Sequence, residues 1–154
     1  MPSAQIDTFV GTLRVTETDG AISRLAWPSP EQDPAQDKSA LLARACDQLQ
    51  AYFAGELQVF DLPLQVSGSD FQRAVCEAML AIPLGETRTY GDLARDLGRP
   101  PQPVGNACGA NPIPVIIPCH RILGANGLGG FSGGIGIETK ITLLKHEGAA
   151  SLLI

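Results

Sequence analysis

The chain has little of what marks several large protein classes. Its 154 residues hold two histidines and four cysteines, and no Cys-x-x-Cys pair occurs. Structural zinc sites draw their ligands as close pairs, so no metal centre is expected. No apolar run approaches the roughly 20 residues that a membrane span requires. Residues Met1 to Asp7 show neither a basic stretch nor an apolar one, so a secretory signal is not expected. The expectation is a cytoplasmic protein with reduced thiols and no membrane partner. Gly 17 and Pro 12 are not periodic, which excludes a collagen-like chain, and 44% hydrophobic residues exclude wholesale disorder.

Positive charge is also scarce. The formal net charge is -5, which argues against strong non-specific binding to nucleic acid. The imbalance is local, however. Residues 1–69 carry 4 basic and 9 acidic side chains, whereas residues 70–154 carry 7 of each. Arg88, Arg95, Arg99 and Arg121 face only Asp92 and Asp96 between positions 88 and 121. The acidic character belongs to the first half, and DNA contact by the second half stays open.

The length suits one domain or two small ones sharing an interface. Residues 5–27 read as strands in which Phe9, Gly11, Leu13 and Val15 share a face, with a hairpin turn at Asp19-Gly20. Ser39 is placed to cap a helix over 40–54 whose apolar face is Leu42, Cys46, Leu49 and Phe53. Residues 60–68 read as an extended linker, and Ser69 caps a second helix that stops at Pro83. A short helix over 89–98 and a small-residue helix over 104–110 suggest helix-turn-helix, a weak pattern by itself. Prolines 112, 114 and 118 then impose an extended segment that delivers Cys119, His120 and Arg121. Seven glycines lie between positions 124 and 136, and a helix over 138–147 follows, with Ile141, Leu144 and Lys145 available to pack.

Cys46, Cys76 and Cys108 fall at helical positions suited to small buried hydrophobes. Cys119 differs, because it stands at the end of a rigid segment beside a histidine and an arginine. A cysteine reacts as thiolate, and basic neighbours favour that form. Successive residues of an extended chain point to opposite sides, so His120 would reach Cys119 only through a bend or a bridging water. Taken singly, Tyr90 reads as a half-buried aromatic, His146 and Glu147 as a solvated helix end, and Arg121 as a structural cation paired with a carboxylate.

The whole string Asn111-Pro112-Ile113-Pro114-Val115-Ile116-Ile117-Pro118-Cys119-His120-Arg121-Ile122 closely resembles the active-site signature of the O6-alkylguanine-DNA alkyltransferases. Thr89-Tyr90-Gly91-Asp92-Leu93-Ala94 and Val104-Gly105-Asn106-Ala107 are similar to that family's helix-turn-helix. Gly130-Phe131-Ser132-Gly133-Gly134 and Leu143-Leu144-Lys145-His146-Glu147-Gly148 are similar to its lid loop and closing helix. The similarity spans about residues 70–148, while the first 69 residues carry no motif of their own.

The resemblance implies an α/β (α+β) fold. A small N-terminal α/β (ribonuclease-H-like) domain over 1–68 would precede a mostly helical, winged-helix-like DNA-binding domain over 69–154. It implies a single-turnover transfer of an alkyl group from O6-alkylguanine in duplex DNA to Cys119, with no cofactor and a monomeric protein. His120 would take the thiol proton through a water, Glu147 would orient His120, and Tyr90 would donate to the leaving base. Asn111 would hold the turn of the segment. The carbonyls of Cys119 and Ile122 would read the exocyclic amine, with the Ser132 N–H at O6 and Phe131 as an aromatic wall. The helix-turn-helix would enter the minor groove around a flipped nucleotide, with Gly105, Ala107 and Gly109 permitting close approach.

Two departures stand out. Gln102 occupies the position where the family inserts an arginine into the base stack, so weaker DNA affinity or partial replacement by Arg99 is expected. Phe131 replaces a frequent tyrosine. Two alternatives share these features: a non-enzymatic alkyl-lesion recognition protein, against which Cys119 argues, and a helix-turn-helix regulator.

Overall fold

The computed structural model describes residues 2–32, 36–125, 127–129, 133–134 and 136–149. Its N-terminal half is an antiparallel meander of β1 (Ser3–Thr8), β2 (Gly11–Thr18) and β3 (Ala21–Ala26), in the order β1-β2-β3. Alternation along β2 sends Leu13 and Val15 inward, and a register shift between β2 and β3 brings both Ile22 and Leu25 to the same buried face. Asp19 (φ 51) and Gly20 (φ 79) both adopt positive φ, as a two-residue hairpin turn demands. The strand expected through Phe9 is instead interrupted there. The Thr8 hydroxyl bonds Gly11 O at 2.8 Å and accepts from Val10 N at 3.1 Å, which turns the chain and leaves Phe9 exposed.

Helix α1 (Ala40–Phe53) crosses this sheet, and the Ser39 hydroxyl caps it by accepting from Leu42 N at 3.0 Å. Its buried face is Leu42, Ala45, Leu49 and Tyr52, with Cys46 and Phe53 on the flank rather than at the centre. Tyr52 can point inward because its hydroxyl has a buried partner, Glu147. The segment expected as an extended linker runs beside β3: Ile22 N donates to Pro63 O at 2.8 Å, and Gln65 N to Ile22 O at 2.9 Å.

The second half is mainly helical. Helix α2 (Asp70–Leu80), capped by Ser69, buries Val75, Cys76 and Met79. After β4 (Arg88–Thr89), helix α3 (Tyr90–Leu97) opens on a reciprocal capping box between Thr89 and Asp92 and closes on Gly98 in the left-handed region. Helix α4 (Pro101–Gly109) starts three residues earlier than the small-residue pattern predicts, because a proline in the first turn needs no N–H partner. Gln102 therefore sits in the first turn of α4.

A 3-10 turn at Cys119–Arg121 leads into β5 (Ile122–Leu123), which pairs in parallel with β4, and α5 (Ile137–His146) closes the chain. On α5 the buried positions are Thr139, Lys140, Leu143 and Leu144; Lys145, expected to pack, is exposed. One core joins both halves. Among the described residues, no helix is long and apolar enough to cross a membrane.

Candidate active site around Cys119

The segment before Cys119 is a hook and not the straight extended run that its prolines suggest. Ile117 N donates to Ile113 O at 2.8 Å, and Cys119 N reaches back to Ile117 O at 2.8 Å across Pro118. Val115 adopts φ 72, a left-handed conformation that is costly for a β-branched residue. Asn111 spans the hook: its Nδ2 donates to Ile117 O at 2.8 Å, and its Oδ1 accepts from Ile113 N at 3.0 Å. Leu25 N of β3 donates to Pro112 O at 3.0 Å, tying the hook to the N-terminal sheet.

The bend puts Cys119, His120 and Arg121 on a single helical turn. Cys119 is partly exposed on a cavity of about 630 Å³, lined by Cys108, Asn111, Pro114, Gly133 and Gly134 and, opposite, by residues 23–27. Burial pushes the Cys119 thiol up, against the Asn111 side-chain hydrogen bond and the charge of Lys140, which pull it down. Burial thus favours the thiol, against the thiolate form that basic neighbours favour. Burial likewise drives Cys108, on α4, up to about 12.

His120 is fully buried, and its Nε2 lies 2.7 Å from Glu147 Oε2. Arg121 donates from Nε to Glu147 Oε1 at 2.8 Å, from Nη2 to Oε2 at 3.1 Å, and from Nη1 to Ile82 O at 2.6 Å. The Tyr52 hydroxyl donates to Glu147 Oε2 at 2.5 Å. Burial pushes the Glu147 carboxyl up, but the donors His120, Arg121 and Tyr52 outweigh it and bring it to about 2. Burial holds His120 below its usual value, against the pull of Glu147, so the imidazole is neutral. An ionised Glu147 can only accept, which assigns the proton to Nε2 and leaves Nδ1 as the basic nitrogen of the neutral ring. Nδ1 is buried and, among the described residues, has no hydrogen-bond partner.

Lys140 is a second buried cation. Its Nζ donates to Ile122 O at 2.5 Å, and burial lowers it to about 8, while nearby Cys119 and Cys108 oppose that shift. The carbonyls of Cys119 and Ile122 are thus already engaged, the first by the Ile122 N–H and the second by Lys140, each keeping one lone pair.

Tyr90, the first residue of α3, does not line the Cys119 cavity. Its ring lies beside two glycines. A Cβ on Gly105 would come within 3.8 Å of Cδ1, and one on Gly129 (φ +72) within 3.1 Å of Cε2. Phe131 and Ser132 lie outside the described residues.

The helix-turn-helix face differs from expectation in one position. The period of α4 buries Val104, Ala107 and Cys108, and the Ala107 carbonyl accepts from Gln72 Nε2 at 2.9 Å. Ala107 is core, so a duplex meeting α4 would find Gln102, Gly105, Asn106 and Gly109. Arg99 is exposed, with its guanidinium 4.9 Å from the Phe71 ring centroid. His146 is no solvated helix end: it packs against Phe9, Tyr52 and Phe53, and its Nε2 lies 2.7 Å from Tyr52 O.

Sequence reasoning missed Tyr52 and Lys140. Both carried a signal: Tyr52 continues the Leu42, Ala45, Leu49 spacing, and Lys140 precedes Leu143 and Leu144 by a helical turn.

Residues 3–66 match the family "6-O-methylguanine DNA methyltransferase, ribonuclease-like domain", and residues 70–149 match "6-O-methylguanine DNA methyltransferase, DNA binding domain". The chain belongs to the O6-methylguanine DNA methyltransferase family. It is 44% identical over 150 residues to the methylated-DNA--protein-cysteine methyltransferase of Mycobacterium tuberculosis, covering 92% of this chain and 89% of that protein. The Mycolicibacterium paratuberculosis protein of the same name is 41% identical over 149 residues, with the same coverage. The crystal structure of M. tuberculosis OGT in complex with DNA superposes with a TM-score of 0.84 at 39% identity, covering 97% of this chain and 94% of that one. An O6-methylguanine DNA methyltransferase from Methanococcus jannaschii gives a TM-score of 0.68 at 27% identity, covering 95% and 92%.

Proposed function

We propose that this protein repairs DNA by moving an alkyl group from O6 of guanine onto Cys119, in a single irreversible turnover. The observation that carries the reading is His120, on the same turn as Cys119 and buried against Glu147 at the end of α5, with its basic Nδ1 unpaired among the described residues. The Cys119 Sγ attacks the alkyl carbon in line; an S–C bond forms as the C–O6 bond breaks, and the electron pair leaves with guanine. The thiol proton passes to His120 Nδ1 through a water and returns overall to the departing base. Glu147 and Arg121 keep the imidazole in the Nε2–H form, the role of the orienting acid in a nucleophile–base pair. The resemblance assigns Tyr90, whose ring stands outside the Cys119 cavity, as the donor to the leaving base, the backbone of Ile122 and Ser132 as its further contacts, and Phe131 as an aromatic wall. No oxyanion forms at an sp³ carbon, and the thioether product is stable, so no cofactor is called for.

Double-stranded DNA carrying the lesion is the partner, bound at the minor groove by α3 and α4 with the nucleotide flipped into the site. Gln102, Gly105 and Arg99 form the contact face, and Gln102 in place of arginine weakens the hold on duplex. The chain acts as a cytoplasmic monomer whose two domains meet at residues 68 and 69.

The test is intact mass after mixing with a duplex containing one O6-methylguanine, followed by peptide mapping. A gain of one methyl for one hydrogen on the Cys119 peptide, absent in Cys119→Ala, supports the reading. Lesion-selective binding without any gain would make the protein a recognition factor, and neither binding nor gain would refute both.

A further inference from the structure

The N-terminal half carries none of the residues assigned to the transfer, yet it sends one polar atom into the centre of the site. Tyr52, in the last turn of α1, is 1% exposed, and its hydroxyl donates at 2.5 Å to Glu147 Oε2, the oxygen that also faces His120 Nε2 at 2.7 Å. The ring is fixed by its neighbours, with Phe53 at 4.9 Å, His146 at 5.1 Å and Phe60 at 5.4 Å between centroids. His146, adjacent to Glu147, holds the Tyr52 carbonyl at 2.7 Å. A phenylalanine would fill the same space, so packing alone does not account for the hydroxyl. Its effect is electrostatic: a donor on Oε2 withdraws negative charge from the lone pairs that stabilise a proton on His120.

We propose that Tyr52 is a positioning residue of the alkyl-transfer site, through which the N-terminal half fixes Glu147 and sets how tightly His120 holds a proton. The proposal rests on His120 acting as the base. The charged and titratable groups facing the His120–Glu147 pair are Tyr52 from α1, Arg121 from the 3-10 turn, and Lys140 from α5. With Arg121 and Lys140 unchanged, loss of the hydroxyl leaves Glu147 the stronger acceptor. His120 then protonates at a higher pH and is a poorer acceptor near neutrality.

The experiment compares full-length protein with Tyr52→Phe by titrating the His120 imidazole with nitrogen NMR and by following methyl transfer from an O6-methylguanine duplex against pH. The expected result is an upward move of the His120 midpoint on the order of one pH unit. The acidic limb of the transfer rate moves with it, and the two rates converge at alkaline pH. A fluorinated tyrosine at position 52, a stronger donor of nearly the same shape, moves both in the opposite direction and decides the matter if Tyr52→Phe folds poorly. An unchanged midpoint in folded variants overturns the proposal. A displaced midpoint with no methyl transfer in the parent protein upholds the hold of Tyr52 on His120 and refutes the transfer reading instead.

Discussion

Replacing Glu147 by glutamine separates what the buried carboxylate does for the fold from what it does for the chemistry. Glu147 accepts from His120, Tyr52 and, twice, from Arg121, while its own side chain is fully buried. The variant leaves Arg121 as a buried cation without its counter-charge, a change that costs about 3–5 kcal/mol. For a chain of this size that is a fall in Tm of roughly 6–20 °C. The pH dependence carries the same signature. Folding lowers the Glu147 carboxyl from 4.5 to about 2, so its stabilisation is present above pH 4.5 and disappears as pH falls through 2. The parent protein should lose up to about 3 kcal/mol across that window, and the variant should not. Methyl transfer should fall by about 10²–10⁴-fold, the usual contribution of a positioned base. Combining Glu147→Gln with Arg121→Met removes the stranded cation, so most of the stability returns and the rate does not. Urea unfolding at several pH values and single-turnover transfer kinetics measure both halves. A variant with Tm within about 2 °C of the parent and an unaltered acid limb would refute this account of the site.

Three further outcomes are expected. Lys140→Met removes a cation facing Cys119, so the thiol should titrate higher and expose less thiolate at neutral pH, about tenfold less if its midpoint rises by about one pH unit, read by thiol alkylation against pH. Stability at neutral pH should hold or rise, because folding lowers Lys140 from 10.5 to about 8 and so penalises its charged form until pH climbs through that range. Asn111→Ala removes both bonds across the hook that holds Val115 at φ 72, and about 1–3 kcal/mol of stability with them, together with slower transfer at Cys119. Gln102→Arg, in the exposed first turn of α4, should tighten duplex binding and steepen the slope of log affinity against log salt by about one, which titrations at several salt concentrations would read.

Local chemistry made much of this protein legible from its residues alone. Ser39 and Ser69 announce two helix starts, Asp19-Gly20 a hairpin, and the string ending in Cys119-His120-Arg121 the nucleophile, because caps, turns and signatures act between residues close in sequence. The sequence also determined that Cys119 differs from the other three cysteines. Only the tertiary structure decided how the nucleophile is surrounded. The spacing of Leu42, Ala45 and Leu49 carries Tyr52 to the inner side of α1, but nothing local says what its hydroxyl meets there, a carboxylate 95 residues away. Nor could spacing show that Lys140 is placed to act on Cys119, or that His146 stacks on α1 and not in water. A buried charge is tolerable only where partners from distant segments converge, and that convergence exists only in the folded chain.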